Sequence, residues 1–344
     1  MSDEFKIEKA KKIIYSPSEI AERGYTETKR IAELGNAGIP LDIPGTLPAI
    51  KDYFAPILPF EIVAIQAQTS NGKTLLKDWW LGETAELFNK QERKQVIIDV
   101  HLEETIEQVA YAEYGRRLKV KPADFARGEY TNFGAMRGIM QEIEGVPIWH
   151  IGVSSLDDED TPPLTLSYIF RAIMALKEGL IDGTKHSIGL VSVDYLQVLP
   201  IDTENKTARK DTQRRLQVMD DVNLLRKMTS KIQAPILVPL QAKQDLKSTF
   251  EPYHIPQMYD GLETSAIATR FDRIISLWMP STTHPNKIGD VLTNKAGDSV
   301  TVGTNNMWLQ VIKQRGGLPK GKKWELAWNF EKGDLTSVYS IGDK

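Results

Sequence analysis

Short apolar runs rich in β-branched residues recur along the chain. They are EIVAIQA (61–67), QVIIDVHL (95–102), VPIWHIG (146–152), IGLVSVDYLQVL (188–199) and APILVPLQ (234–241), followed by RIISLWM (273–279), NMWLQVIKQ (306–314) and KWELAWNF (323–330). Runs of this kind, apolar at successive positions, suit strands covered on both faces, as in a parallel sheet. Between the earlier runs, residues 73–90, 105–118, 165–180 and 213–232 carry apolar positions three and four apart, which predicts helices. The stretch SSLDDEDTPPLT supplies turn and helix-start chemistry before the third, and Pro162 and Pro163 forbid a helix running through it. Alternating strands and helices predict an α/β fold with a doubly wound, mostly parallel sheet. The last strands follow one another without helices, which predicts antiparallel edge strands near the C-terminus. At the other end, residues 16–35 read as a short amphipathic helix using Ile20, Ala21, Ile31 and Leu34, interrupted near Gly24 and followed by a loop-like stretch. Such a helix either folds onto its own core or forms an arm that packs on a neighbouring subunit.

Composition narrows the function classes. The 344 residues are 41% hydrophobic and 26% charged, with a formal net charge of −3, which fits a globular protein and leaves local basic loops open. There is no cysteine, so disulfides, thiolate metal sites and cysteine nucleophiles are excluded. Five histidines remain and none are paired at i, i+4, so a dedicated zinc site is not expected. The N-terminus lacks a signal-peptide core, and no run approaches the roughly 18 apolar residues of a membrane span. A cytoplasmic location, without membrane partners, is the expectation.

The chemistry concentrates at three strand ends. The stretch IVAIQAQTSNGKTLL (62–76) matches G-x-x-x-x-G-K-[ST], except that Ala67 stands where the first Gly belongs. It runs from a strand into a helix, as a phosphate loop must. Backbone from Ala67 through Ser70, Asn71, Gly72, Lys73, Thr74 and Leu75 then surrounds the phosphates, Lys73 reaches the outer ones, and the Thr74 hydroxyl binds magnesium. Ala67 needs only to be small if no left-handed backbone is required there. Asp194 lies near the end of a buried apolar strand, where a carboxylate is costly unless paired or serving a metal, so it is the second candidate for Mg2+. In DVHLEET (99–105), Glu103 is placed to orient and deprotonate a water, and Glu104 to favour the start of the next helix.

Taken in order, these segments resemble the ATPase domain of DnaB-type replicative helicases, hexameric motors of the RecA-like class, over most of residues 40–335. AQTSNGKT resembles that family's phosphate loop, which starts with Ala rather than Gly. HLEE is similar to its Ser-Leu-Glu-Met segment, with Glu103 at the catalytic position, and VDYLQVL to its Ile-Asp-Tyr-Leu-Gln-Leu segment, with Asp194 as the metal-associated acid. PILVPLQAKQ resembles the strand whose glutamine, here Gln241, links the γ-phosphate to the DNA-binding side. IKQRGG resembles the Lys-Gln-Arg-Asn-Gly segment, which implies that Lys313 and Arg315 reach the γ-phosphate bound by the next subunit. A RecA-like fold using ATP and Mg2+ is implied, with residues 1–45 as an arm or linker helix docking on a neighbour and 46–344 as the ATPase domain. One segment departs: SAIATRFD (265–272) keeps Asp272 but carries Ala268 and Arg270 where the family has acids. The family's separate N-terminal helical domain finds no room in the chain, and a minimal phage or mobile-element protein in the host cytoplasm is the expectation.

The partners implied are single-stranded DNA, further copies of the chain in a hexameric ring, and a primase, loader or other replication protein. The segment after Asp194 carries Lys206, Arg209, Lys210, Arg214 and Arg215, suited to backbone phosphates without base preference. Arg127, between Phe125 and Tyr130, resembles a second family loop. A ring-shaped helicase translocating on single-stranded DNA is the leading reading. A RecA-like DNA-dependent ATPase acting as a switch or loader, and a structural nucleotide-binding ring component, are the alternatives.

Overall fold

The structure, a computed structural model, describes residues 15–36, 57–156, 162–194, 199, 210–243, 253–258, 260–261, 268, 270–294, 297, 299–314, 323–329 and 334–341. In chain order these form α1 (Pro17–Asn36), β1 (Ile62–Ala67), α2 (Lys73–Lys90), β2 (Gln95–His101), α3 (Ile106–Leu118), α4 (Pro122–Ala126), α5 (Phe133–Glu144), β3 (Ile148–Ile151), α6 (Leu166–Lys177) and β4 (Ser187–Asp194). There follow α7 (Lys210–Ile232), β5 (Ile236–Gln241), β6 (Arg273–Trp278), α8 (Pro280–Thr283), β7 (Val291–Thr293), β8 (Ser299–Thr301), β9 (Asn306–Gln314), β10 (Lys323–Asn329) and β11 (Asp334–Ile341).

One nine-stranded sheet organises the chain, in the order β11-β10-β9-β6-β1-β5-β4-β2-β3. The strands from β6 to β3 in that order are parallel, and β9, β10 and β11 add an antiparallel edge. The apolar runs are buried on both faces because successive residues of each strand enter different cores. Ile62 and Ala64 of β1 pack with α6 and α7, whereas Val63, Ile65 and Ala67 pack with Trp79, Trp80 and Phe88 of α2. This is the doubly wound architecture that alternating strands and helices predict. Its functional consequence is positional: the carboxyl ends of β1, β2, β4 and β5 share one edge of the sheet, the usual ligand crevice of such folds.

Several local expectations are corrected. The N-terminal helix is continuous through Gly24, whose carbonyl accepts a 2.8 Å bond from Thr28 Oγ1. Its described side chains are all exposed, Ile20 and Tyr25 included, and Ile31 and Leu34 lie outside the described side chains. The start of α3 belongs to Thr105, which forms a reciprocal capping box with Gln108, and Glu104 merely precedes it. Helices α4 and α5 and the β7–β8 hairpin occupy stretches for which no element is predicted, as does β11.

Candidate active site

The phosphate loop takes left-handed backbone at Gly72 and keeps ordinary strand pairing at Ala67, where the motif's first glycine is missing. Ala67, fully buried, ends β1 in ordinary strand pairing opposite Gln241. The left-handed backbone falls on Ser70 (φ 60°) and Gly72 (φ 83°) instead. At Gly72 a Cβ would meet chiefly the tip of the flexible Met307 side chain, so it is the dihedral that calls for glycine. Gly72 is the N-cap of α2 and offers no side chain to its free N–H groups, so the helix N-terminus is left open to an external acceptor. The loop is fastened from the far side. Asn71 Oδ1 accepts the Met279 N–H at 2.7 Å, its Nδ2 donates to Thr69 O at 3.0 Å, and Thr282 Oγ1 donates to Ser70 O at 3.1 Å. Asn71 is buried, so its side chain shapes the loop while its backbone lines it.

A cleft of about 480 Å³ opens over this helix start, lined by Ser70, Gly72, Lys73, Thr74, Leu75, Met279, Ser281, Thr282 and Thr304. Lys73 donates long bonds of 3.4 Å to the carbonyls of Ala67 and Gln68. Burial pulls its pKa below the ordinary lysine value, against the opposing fields of Asp194 and Glu103. An ammonium so weakly satisfied, beside uncapped N–H groups, fits a polyphosphate. Thr74 Oγ1 donates to Asp194 Oδ2 at 3.4 Å, which puts hydroxyl and carboxylate together as hard oxygen donors for a small cation. Asp194 is the last residue of β4, and burial, opposed by Lys77, raises its pKa to about 6. Gln241, ending β5, donates from Nε2 to Thr69 Oγ1 at 2.7 Å, so it touches the loop directly. Glu103 stands exposed just past β2, on the same edge.

Other sequence-predicted residues lie elsewhere. Lys313 pairs with Ile274 near the start of β6, on the sheet edge away from the phosphate loop, and its Nζ donates to Ala268 O at 2.9 Å. Arg315, Lys206 and Arg209 lie outside the described residues, and Lys210 and Arg214 fall in α7 with side chains outside them. Arg127 is exposed at the end of α4, while Phe125 beside it packs against Tyr111, Tyr114 and Tyr130. At the segment that departs from the family, buried Asp272 accepts from Ile62 N at 2.8 Å and Arg226 NH1 at 2.6 Å, bracing the start of β1. Arg270 contacts Asn223 on α7.

Sequence reading misses a buried charge cluster behind the cleft. Lys77, one turn beyond Lys73, is fully buried and reaches Asp78 at 2.9 Å, Asp99 at 3.1 Å and Asp194 at 3.7 Å. Burial works against its charge, but these three carboxylates hold its pKa above the ordinary lysine value. Asp99 is likewise buried, and its pKa is lowered: Lys77 and His101 outweigh its desolvation. The readable signal was a lysine on the apolar face that Leu76, Trp80 and Leu81 bury, and an aspartate inside QVIIDVH.

The sequence profile of the DnaB-like helicase C terminal domain family matches residues 44–333. No curated protein matches the sequence. Among solved structures, an ATPase domain superposes with a TM-score of 0.64 at 18% identity, covering 94% of this chain and 100% of that one. A DnaB-like replicative helicase, solved for its interactions with primase, superposes with a TM-score of 0.63 at 17% identity, covering 90% of this chain and 65% of that one. At these identities the likeness is one of fold. Among the described residues, no helix is long and apolar enough to cross a membrane.

Proposed function

The chain belongs to the DnaB-like helicase C-terminal domain family, one of ATP-hydrolysing helicases, and from that premise we propose a ring-forming motor that translocates on single-stranded DNA and unwinds duplex ahead of it. ATP with Mg2+ supplies the phosphoryl group whose transfer to water drives the motion. In this reading the open N-terminus of α2 and Lys73 hold the outer phosphates, and Thr74 with Asp194 holds the magnesium. Glu103 orients the attacking water and takes its proton. Gln241, in contact with Thr69, relays the state of the loop toward the DNA-facing side.

The observation that carries the ring is the separation of Lys313 from the cleft. The loop, Asp194 and Gln241 lie at the carboxyl ends of the parallel strands, whereas Lys313 lies near the start of β6. For Lys313 and the following Arg315 to act on phosphate, they must serve the cleft of a neighbouring copy. Contacts of that head-to-tail kind close into a ring at a suitable rotation. Helix α1, exposed throughout its described side chains, is the arm that docks on the neighbour, and residues 46–344 form the ATPase domain. A hexamer, with primase or loader contacts, completes the reading. DNA contacts are assigned to Lys206, Arg209, Lys210, Arg214 and Arg127.

The test is steady-state ATP hydrolysis at fixed low salt, with and without a long single-stranded oligonucleotide. Strong stimulation by DNA, abolished by Lys73→Ala, is expected. Hydrolysis indifferent to DNA would replace the motor with a switch or loader. Mixing Lys73→Ala and Arg315→Ala chains, each inactive alone, should restore part of the activity, because some interfaces then join an intact cleft to an intact Arg315.

A further inference from the structure

At the ends of β2 and β3, three lone-pair donors converge on one point. Asp99 and His150 face each other across the two strands, and His101 lies two residues further along β2, on the same face as Asp99. His101 Nε2 lies 3.1 Å from Asp99 Oδ2 and 3.0 Å from His150 Nδ1, and one ligand atom from each of the three residues falls within 4.8 Å of the others. One ring N–H on His101 can serve either neighbour fully, but not both. Separations near 3 Å are close to the edge of a ligand tetrahedron with metal–nitrogen bonds of about 2.0–2.1 Å. We propose that Asp99 Oδ2, His101 Nε2 and His150 Nδ1 form a site for one divalent transition-metal ion of the zinc class.

Three features favour an ion there. Asp99 and His101 are buried, so two ligands are already held in place, while His150 is exposed and leaves a side open for entry and for a water in the fourth position. The charge is right: among the described residues two ammoniums, Lys77 and, toward Asp194, Lys73, face the carboxylates of Asp78, Asp99 and Asp194, so the cluster keeps an excess of negative charge. Lys77 also contacts both oxygens of Asp99, at 3.2 and 3.1 Å, which orients the carboxylate and leaves lone pairs free. Two imidazoles select zinc, cobalt, nickel or copper over magnesium, so this site is chemically distinct from the oxygen pair Thr74–Asp194. Histidines remote in sequence meet here because β2 and β3 are in parallel register, against the expectation of no zinc site. A bound ion would tie β3 to β2 two residues before Glu103, as a positioning element.

The experiment uses the full chain, stripped with a chelator and free of nucleotide, titrated with Co2+. One equivalent should bind with tetrahedral visible absorption and hyperfine-shifted, exchangeable imidazole N–H resonances. Zn2+ should displace it and Mg2+ should not. His150→Gln, at an exposed position, should keep the native circular dichroism yet lose the spectrum, and Zn2+ should raise the melting temperature of the parent but not of this variant. Failure of the parent to bind Co2+, or binding that survives His150→Gln, overturns the proposal and leaves the two rings sharing a proton. ATP hydrolysis is not read, so the outcome is independent of the helicase reading.

Discussion

Lys73 and Lys77 sit one turn apart on α2 and live in opposite surroundings. Lys73 borders the cleft, makes long contacts to two carbonyls of its own loop, and has its pKa lowered by burial. Lys77 is fully buried, contacts Asp78, Asp99 and Asp194, and has its pKa raised by them. The same ammonium is therefore left under-satisfied where a ligand is to complete it, and saturated where the fold needs a fixed charge. Lys77 also sets the field felt by Asp194, so the buried cluster tunes the cleft without touching what enters it.

Exchanging one residue at each position breaks this contrast most directly. Lys77→Met leaves Asp99 buried without its cation, and removing one partner of a buried pair typically costs about 3–5 kcal/mol. Lys73→Ala removes a desolvated charge held by only two long contacts, so its stability cost should fall well below that of Lys77→Met. Its cost falls on hydrolysis, by roughly 10²–10³ if the lysine acts as a single phosphate-stabilising donor. Urea unfolding of both variants, with ATP hydrolysis of the second, checks the pair. A larger stability loss from Lys73→Ala than from Lys77→Met would show that the two roles have been assigned the wrong way round.

The same contrast explains what the sequence made legible. The phosphate loop is local: Gly72, Lys73 and Thr74 follow a strand and open a helix within one short window, so spacing suffices to find it. The parallel sheet is legible because two-faced burial demands unbroken apolar runs. The cluster is assembled instead by register, with His101 opposite Asp194 and Asp99 opposite His150 across strands far apart in the chain. No spacing rule reaches that. Helix α5 is legible in principle, since Phe133, Met136, Met140 and Ile143 recur three and four residues apart on one helical face. Gly24 does not interrupt α1, because a single glycine costs a helix about 1 kcal/mol, which weakens it without breaking it.

A smaller effect sharpens the comparison from the carboxylate side. Asp194 has a folded-state pKa of about 6 against an ordinary value of 3.8, so the native chain holds a proton that the unfolded chain releases. Its contribution to stability is therefore present below about pH 4 and is lost as pH rises to about 6. In metal- and nucleotide-free protein, Asp194→Asn should be more stable than the parent above that window, by on the order of 1–3 kcal/mol. The advantage should shrink toward zero at its acid end, and hydrolysis should be lost at every pH. Equal stabilities at pH 8 would mean that Lys77 fully compensates the ionised carboxylate. The cluster would then be neutral toward Asp194 rather than poised against it.

The smallest effect concerns the glycine that the phosphate loop lacks. If left-handed backbone is what a loop glycine provides, Gly72→Ala should be costly, because φ is 83° there. The dihedral alone accounts for roughly 1–2 kcal/mol, and a displaced helix start should reduce hydrolysis as well. Ala67 has no such duty: it is buried in the last pair of β1, and its backbone already accepts the Ala242 N–H at 2.8 Å. Ala67→Gly should therefore gain nothing in hydrolysis and lose about 0.5–1 kcal/mol, through greater chain entropy and a lost buried methyl. Denaturant midpoints and hydrolysis rates of the two reciprocal variants decide the matter. A rise in activity on restoring Gly at 67 would mean that the loop is held back by Ala67. Unchanged activity with a small stability loss would assign the motif's first position to packing and its second to backbone conformation.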